Sequence, residues 1–168
     1  MSRDPMQIAL HKLGARAYSI FELKKLLVSQ GFGSDEIEIC LEKLVEWGYL
    51  NDTLLSQQLY QYYTGRKHYG RLLLAKRLAA RGIPAQNIQE ILHDYEPGEK
   101  RVARQAAEKF VQARQNKDCR KLQLALVRHL RSRGFTEAVI LDALNESGLG
   151  PEDDTAGMVQ LDRLKKYD

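Results

Sequence analysis

The sequence predicts an all-α protein made of tandem repeats of a three-helix unit that form an elongated, curved molecule. Three observations predict it. A leucine-rich stretch ending in glycine occurs three times, with Leu23, Leu27 and Gly31 matched by Leu74, Leu78 and Gly82 and by Leu126, Leu130 and Gly134. An apolar residue follows each glycine at once (Phe32, Ile83, Phe135), and further on come Ile37 and Leu41, Ile88 and Leu92, or Ile140 and Leu144 in the same register. No segment alternates apolar and polar residues as a half-buried strand does.

The elements follow in chain order. In the first repeat, residues 1–65, Ser19-Ile20-Phe21-Glu22 reads as a capping box that opens a helix. Leu23 and Leu27, one turn apart, face the core. Gly31 then takes the left-handed conformation that ends the helix, and Phe32 folds back over its last turn. Ser34 is the expected cap of the next helix, with Asp35 and Glu36 where the helix dipole favours acids. Gly48 ends it, and Asp52 is the expected cap of a third helix carrying Leu55, Leu59, Tyr62 and Tyr63. The second repeat, 66–116, runs through Leu74 and Leu78 to Gly82, restarts at Pro84, breaks at Pro97-Gly98 and continues as a helix over about 98–116. The third, 117–168, ends the same helix pair at a Gly150-Pro151 break and closes with a helix over 154–166. A unit of about 50 residues buries little apolar surface alone, so neighbours are expected to stack end to end.

Composition narrows the class. Of 168 residues, 43% are hydrophobic and 29% charged, a globular balance. No stretch reaches the roughly 18–20 apolar residues of a membrane span. The start, Met1-Ser2-Arg3-Asp4-Pro5, lacks the apolar core of a secretory leader, so a cytoplasmic protein without membrane contact is the expectation, with a monomer as default. Cys40 and Cys119 lie far apart and outside any CxxC pair, and read as reduced thiols.

The net charge is +4, but it is unevenly spread. No acid stands between Asp52 and Glu90, where Arg66, Lys67, Arg71, Lys76, Arg77 and Arg81 fall, nor from Arg120 to Thr136, where Arg120, Lys121, Arg128, Arg131 and Arg133 fall. The segment holding Asp35, Glu36, Glu38, Glu42 and Glu46 is acidic instead. Basic blocks on a balanced chain point to an anionic partner, nucleic acid first; the plain alternative is a solvated helix face. Within Thr64–Arg71, Arg66, Lys67 and Arg71 can neutralise phosphates and Tyr69 offers a stacking face.

Catalytic, cofactor and metal sites are not expected. His11, His68, His93 and His129 are scattered, with no HExxH pair. Gly31-Phe32-Gly33 follows a helix, and Glu36 stands where a dinucleotide fingerprint has its third glycine. There is no phosphate loop and no GxSxG elbow.

Residues 18–27 (Tyr-Ser-Ile-Phe-Glu-Leu-Lys-Lys-Leu-Leu), Gly31-Phe32, Gly48-Tyr49-Leu50-Asn51-Asp52, Tyr69-Gly70, Arg81-Gly82-Ile83 and, more weakly, residues 131–135 resemble the RecX family of bacterial recombination regulators. The likeness spans roughly residues 6–147. It implies tandem three-helix repeats and binding to the RecA recombinase, chiefly as its filament on single-stranded DNA. It also implies restraint of filament growth, ATPase, strand exchange and co-protease action, with no catalytic residues. On this reading Lys24 and Lys25 join the basic residues above as the RecA- or DNA-facing surface. The second reading is a module binding free single- or double-stranded DNA without RecA, for which three-helix units have precedent; the acidic second helix of the first repeat argues against that copy entering DNA. A purely structural scaffold, the third, binds neither.

Overall fold

A computed structural model describes residues 4–114 and 118–150. Eight α-helices account for almost all of them: α1 (Pro5–Ala15), α2 (Ile20–Ser29), α3 (Ser34–Glu46), α4 (Asp52–Gln61), α5 (Arg71–Ala80), α6 (Ala85–Gln112), α7 (Cys119–Ser132) and α8 (Glu137–Glu146). The described residues contain no strand.

The repeat glycine behaves as its sequence context requires. Gly31, Gly82 and Gly134 have φ of 87°, 70° and 80°, a region closed to most side chains. Around each, two amides reach back to the spent helix: Gly82 N–H to Ala79 and Ile83 N–H to Leu78, with equivalents at Gly31/Phe32 and Gly134/Phe135. All six repeat leucines are fully buried, each contributing about 2 kcal/mol of apolar burial.

The glycine turn also makes a repeated tertiary contact. The turn at Gly82 sits on the start of α2, where Ser19 Oγ donates to the Arg81 carbonyl and the Phe21 ring fills the place a Cβ on Gly82 would take. The turn at Gly134 sits on the start of α5: Gly70 N–H donates to the Arg133 carbonyl at 2.8 Å and Leu72 N–H to the Gly134 carbonyl at 3.0 Å. Here Leu73 occupies the space of the missing side chain. At α5, amides that a helix start leaves unpaired are thus met by carbonyls of the following glycine turn, whereas at α2 the bond to the turn comes from the Ser19 hydroxyl and the first amides go to Glu22, Asp52 and Ser19 Oγ.

Chain contacts divide the protein into two units. One gathers the chain as far as Tyr62 with Ala75–His93; the other takes Tyr63–Leu74 with the chain from Asp94 onward. In the first, α1, α2 and α3 pack on one another around Ala9, Leu23, Leu27, Ile37, Leu44 and Leu50. In the second, α7 packs on α8, with Leu122, Leu126, Leu130, Ile140 and Leu144 buried.

Several sequence expectations need correction. The first helix, α1, was missed although its signal is plain: Asp4 accepts the Met6 N–H at 2.9 Å and Pro5 starts the first turn. Gly33, not Ser34, caps α3, with Glu36 taking the Gly33 N–H at 3.0 Å. Asn51, not Asp52, caps α4; Asp52 instead accepts the Ile20 N–H from α2. Helix α4 ends at Gln61, and Tyr62–Arg66 forms a π-helical turn. Pro97-Gly98 is no break: α6 runs through it, because Tyr95, Glu99, Val102 and Ala106 are all buried along it and that packing outweighs the lost backbone bond. The helix expected to restart at Pro84 and the one expected over about 98–116 are therefore one, ending at Gln112. The helix expected over 154–166 and Pro151 lie outside the described residues.

Candidate interaction surface

In the first unit, Lys24 and Lys25 lie on the exposed side of α2, with Lys24 Nζ 3.7 Å from Glu38. Lys76 and Arg77 point to solvent from α5. Arg81, from the same acid-free block, turns inward. Its Nε is 2.7 Å from Glu22 Oε1, and Nη2 donates at 2.9 Å both to Glu22 Oε2 and to the Ala17 carbonyl. Glu22 also takes the Ser19 N–H of the capping box and lies 3.4 Å from Arg16. Burial alone pushes the Glu22 carboxyl upward. The Arg81 and Ser19 hydrogen bonds and the Arg81 and Arg16 charges outweigh it and hold the group below its ordinary value.

In the second unit, Arg66 and Lys67 are exposed at the π-helical turn. Arg71, at the start of α5, lends its backbone N–H to the buried Glu99 carboxylate at 2.8 Å and places its guanidinium 3.7 Å from Glu96. Burial, with Glu96 repulsion, raises the Glu99 carboxyl although the Arg71 N–H and charge oppose it. Tyr69 is half-buried and stacked on Tyr63, centroids 5.4 Å apart, so one of its faces is already taken. Along α7, Arg120, Lys121 and Arg128 are exposed, Arg131 pairs with Glu137 at 2.9 Å, and Arg133 is drawn in. Its Nε donates to His129 Nε2 at 3.0 Å and its Nη1 to the Lys67 carbonyl.

The structure thus brings Arg133 to Lys67, commits Arg81 and Arg131 to acids, and leaves Lys25, Arg66, Lys76, Arg77, Arg120, Lys121 and Arg128 on the surface. Charge counting missed α6, where acids alternate with bases in sequence. Lys109 from that helix and Arg114, just past its end, meet Phe110, His68, His129 and Arg133 around a half-open cavity of about 200 Å³. The only sequence signal was the His129–Arg133 spacing of one helical turn. His68 holds φ at 52°, a left-handed conformation uncommon outside glycine. Large apolar groups also reach solvent, Trp47 and Tyr49 being 55% and 58% exposed on either side of Gly48.

Such a surface can attract and position anions. Among the described residues no cluster of three or more His, Cys, Asp or Glu could hold a metal, and no helix is long and apolar enough to cross a membrane.

No family model matches the chain. A protein described as "Regulatory protein RecX" from Pelodictyon phaeoclathratiforme is 33% identical over 153 residues, covering 89% of this chain and 92% of its own. One of the same description from Thermus thermophilus is 31% identical over 143 residues, covering 85% and 92%. The crystal structure of RecX from Lactobacillus salivarius superposes with a TM-score of 0.74 at 20% identity, covering 86% of this chain and 95% of that one.

Proposed function

Since the chain belongs to the RecX family of regulatory proteins, we propose that it acts in the cytoplasm, without catalysis of its own, on the RecA recombinase filament formed on single-stranded DNA. It restrains filament growth and with it RecA's ATPase, strand exchange and co-protease action, so regulating recombination and repair. The observation that carries this reading is likeness to regulators over nearly their whole length. The charge distribution supports it: Lys76 and Arg77 in one unit, and Arg66, Arg120, Lys121 and Arg128 in the other, are exposed and have no carboxylate within ion-pair distance among the described residues. Such cations accelerate docking onto an anionic surface.

The test is the ATPase of the matching RecA on single-stranded DNA with this protein titrated in. Inhibition at well under one molecule per RecA protomer is expected; no effect at equimolar amounts sinks the proposal. Charge reversal belongs at Lys76 and Arg77, and not at Arg81, where it sets a second carboxylate against Glu22. The Lys76→Glu/Arg77→Glu variant should keep its helical content and need on the order of tenfold more protein for half-inhibition.

Direct DNA binding is the second reading, favoured by the exposed Arg120, Lys121 and Arg128 on α7. It predicts binding to bare single strands that weakens with log salt at a slope of about −0.7 per neutralised phosphate. RecA inhibition with negligible affinity for bare DNA separates the two.

A further inference from the structure

The cavity on the second unit breaks the rule that the rest of the protein follows for its inward-turned cations. Arg81 has Glu22, Arg71 has Glu96 and Arg131 has Glu137. Lys109, Arg114 and Arg133 line one cavity, and among the described residues none of them lies within ion-pair distance of an acid.

Each is held by a neutral partner. Lys109 Nζ is 3.3 Å from His68 Nε2, and Arg133 Nε donates to His129 Nε2 at 3.0 Å. The Arg114 guanidinium lies 3.9 Å over the Phe110 ring, and its Nη1 is 3.5 Å from the Phe110 carbonyl. Imidazoles in these positions accept hydrogen bonds, which requires them uncharged at Nε2. Burial first, then the surrounding cations, keeps both below their ordinary value: Lys109 and Arg133 around His68, Arg133 and Arg114 around His129, which falls to about 4. The histidines orient the cations without adding charge, and the three positive groups repel one another until an anion enters.

We propose that this cavity is a binding site for a phosphoryl group, carried either by a nucleic-acid backbone or by free phosphate or a nucleotide. A point charge and two planar forks converging on one space suit an anion with three or four oxygens; a carboxylate's two oxygens occupy one fork. The site reads phosphate and not base, since the Phe110 ring is only 8% exposed and already carries Arg114 and, with centroids 4.5 Å apart, His129. The inference is independent of the RecA proposal, and its test contains no RecA.

The test follows the histidine side-chain NMR signals of the full chain at constant ionic strength. The probes are inorganic phosphate, an oligothymidylate without terminal phosphates, and sodium glutamate. His68 and His129 should shift saturably while His11 and His93, outside the cavity, stay in place. Saturation by inorganic phosphate assigns the site to free phosphate or a nucleotide; saturation by the oligonucleotide alone assigns it to the backbone. The Lys109→Gln/Arg114→Gln variant should keep wild-type helicity and bind the effective probe at least tenfold more weakly. If that pair fails to fold, Lys109→Gln alone, at an exposed position, should weaken binding several-fold. Four histidines shifting alike, no saturable shift with any probe, equal saturation by glutamate, or unchanged affinity in the folded variant overturns the proposal.

Discussion

Arg81 and Arg77 carry the same charge in the same acid-free block, yet the structure uses them oppositely. Arg81 ties the second repeat's glycine turn to Glu22, with side chains only 22% and 17% exposed, whereas Arg77 faces water. Arg81→Ala should therefore cost about 2 kcal/mol in urea unfolding, by taking from a half-buried carboxylate its shortest ion pair, and Arg77→Ala under about 0.5 kcal/mol. Equal costs would show that the pair contributes no more than a surface contact. Composition revealed both cations, but not this division, because Glu22 lies 59 residues from Arg81 and nothing local marks the partner. His129 was legible only as a histidine among arginines. In the folded chain it is neutral, held at about 4, whereas an unfolded histidine gains its proton near 6.5. Between those values the unfolded chain binds the extra proton, so this share of stability is complete above 6.5 and is lost as pH falls toward 4. His129→Gln keeps an acceptor for Arg133 and should flatten that part of the stability–pH curve; an unaltered curve would refute the assignment.

At the scale of elements, the repeat glycines were readable from spacing, and the structure adds that they are not equivalent. Gly31 faces open space, whereas Gly134 has Leu73 where a side chain would stand. Gly31→Ala should lose about 1 kcal/mol, the cost of a left-handed backbone. Gly134→Ala should lose more than about 2 kcal/mol, because the α5 start must also move. Thermal unfolding of both variants checks the order, and a reversed order would mean that the turn does not seat on α5 as described. Helix caps were legible to within one residue, since Ser19 is confirmed while Ser34 and Asp52 each yield to the residue before. Pro97-Gly98 misled for a different reason. Local preference ends a helix there, but the burial of Tyr95, Glu99 and Val102 on the same helix is tertiary and leaves no mark on the dipeptide itself. Pro97→Ala should then raise the unfolding temperature, gaining about 1–3 kcal/mol.

For the whole molecule, repeat periodicity made the helical class readable, because burying a leucine pair every turn leaves a pattern that no strand mimics. The proposed partner was not written in that pattern; the proposal rests on likeness to regulators, and the exposed cations fit it without specifying it. If those cations dock the protein on an anionic filament, half-inhibition of RecA should require more protein as salt rises, mainly through slower association.

The glycine-turn contact bears on how such a chain comes to have its length. The start of α2 receives the turn at Gly82 and the start of α5 the turn at Gly134, so each of the first two copies is completed by its successor. Helix α7 is capped, as α2 is by Ser19, by a side chain of its own: Asp118 takes the Arg120 and Lys121 amides. The middle copy alone brings both a seat, at the start of α5, and a turn, at Gly82, that fills another's, so gene duplication can insert another copy of that kind without inventing a contact.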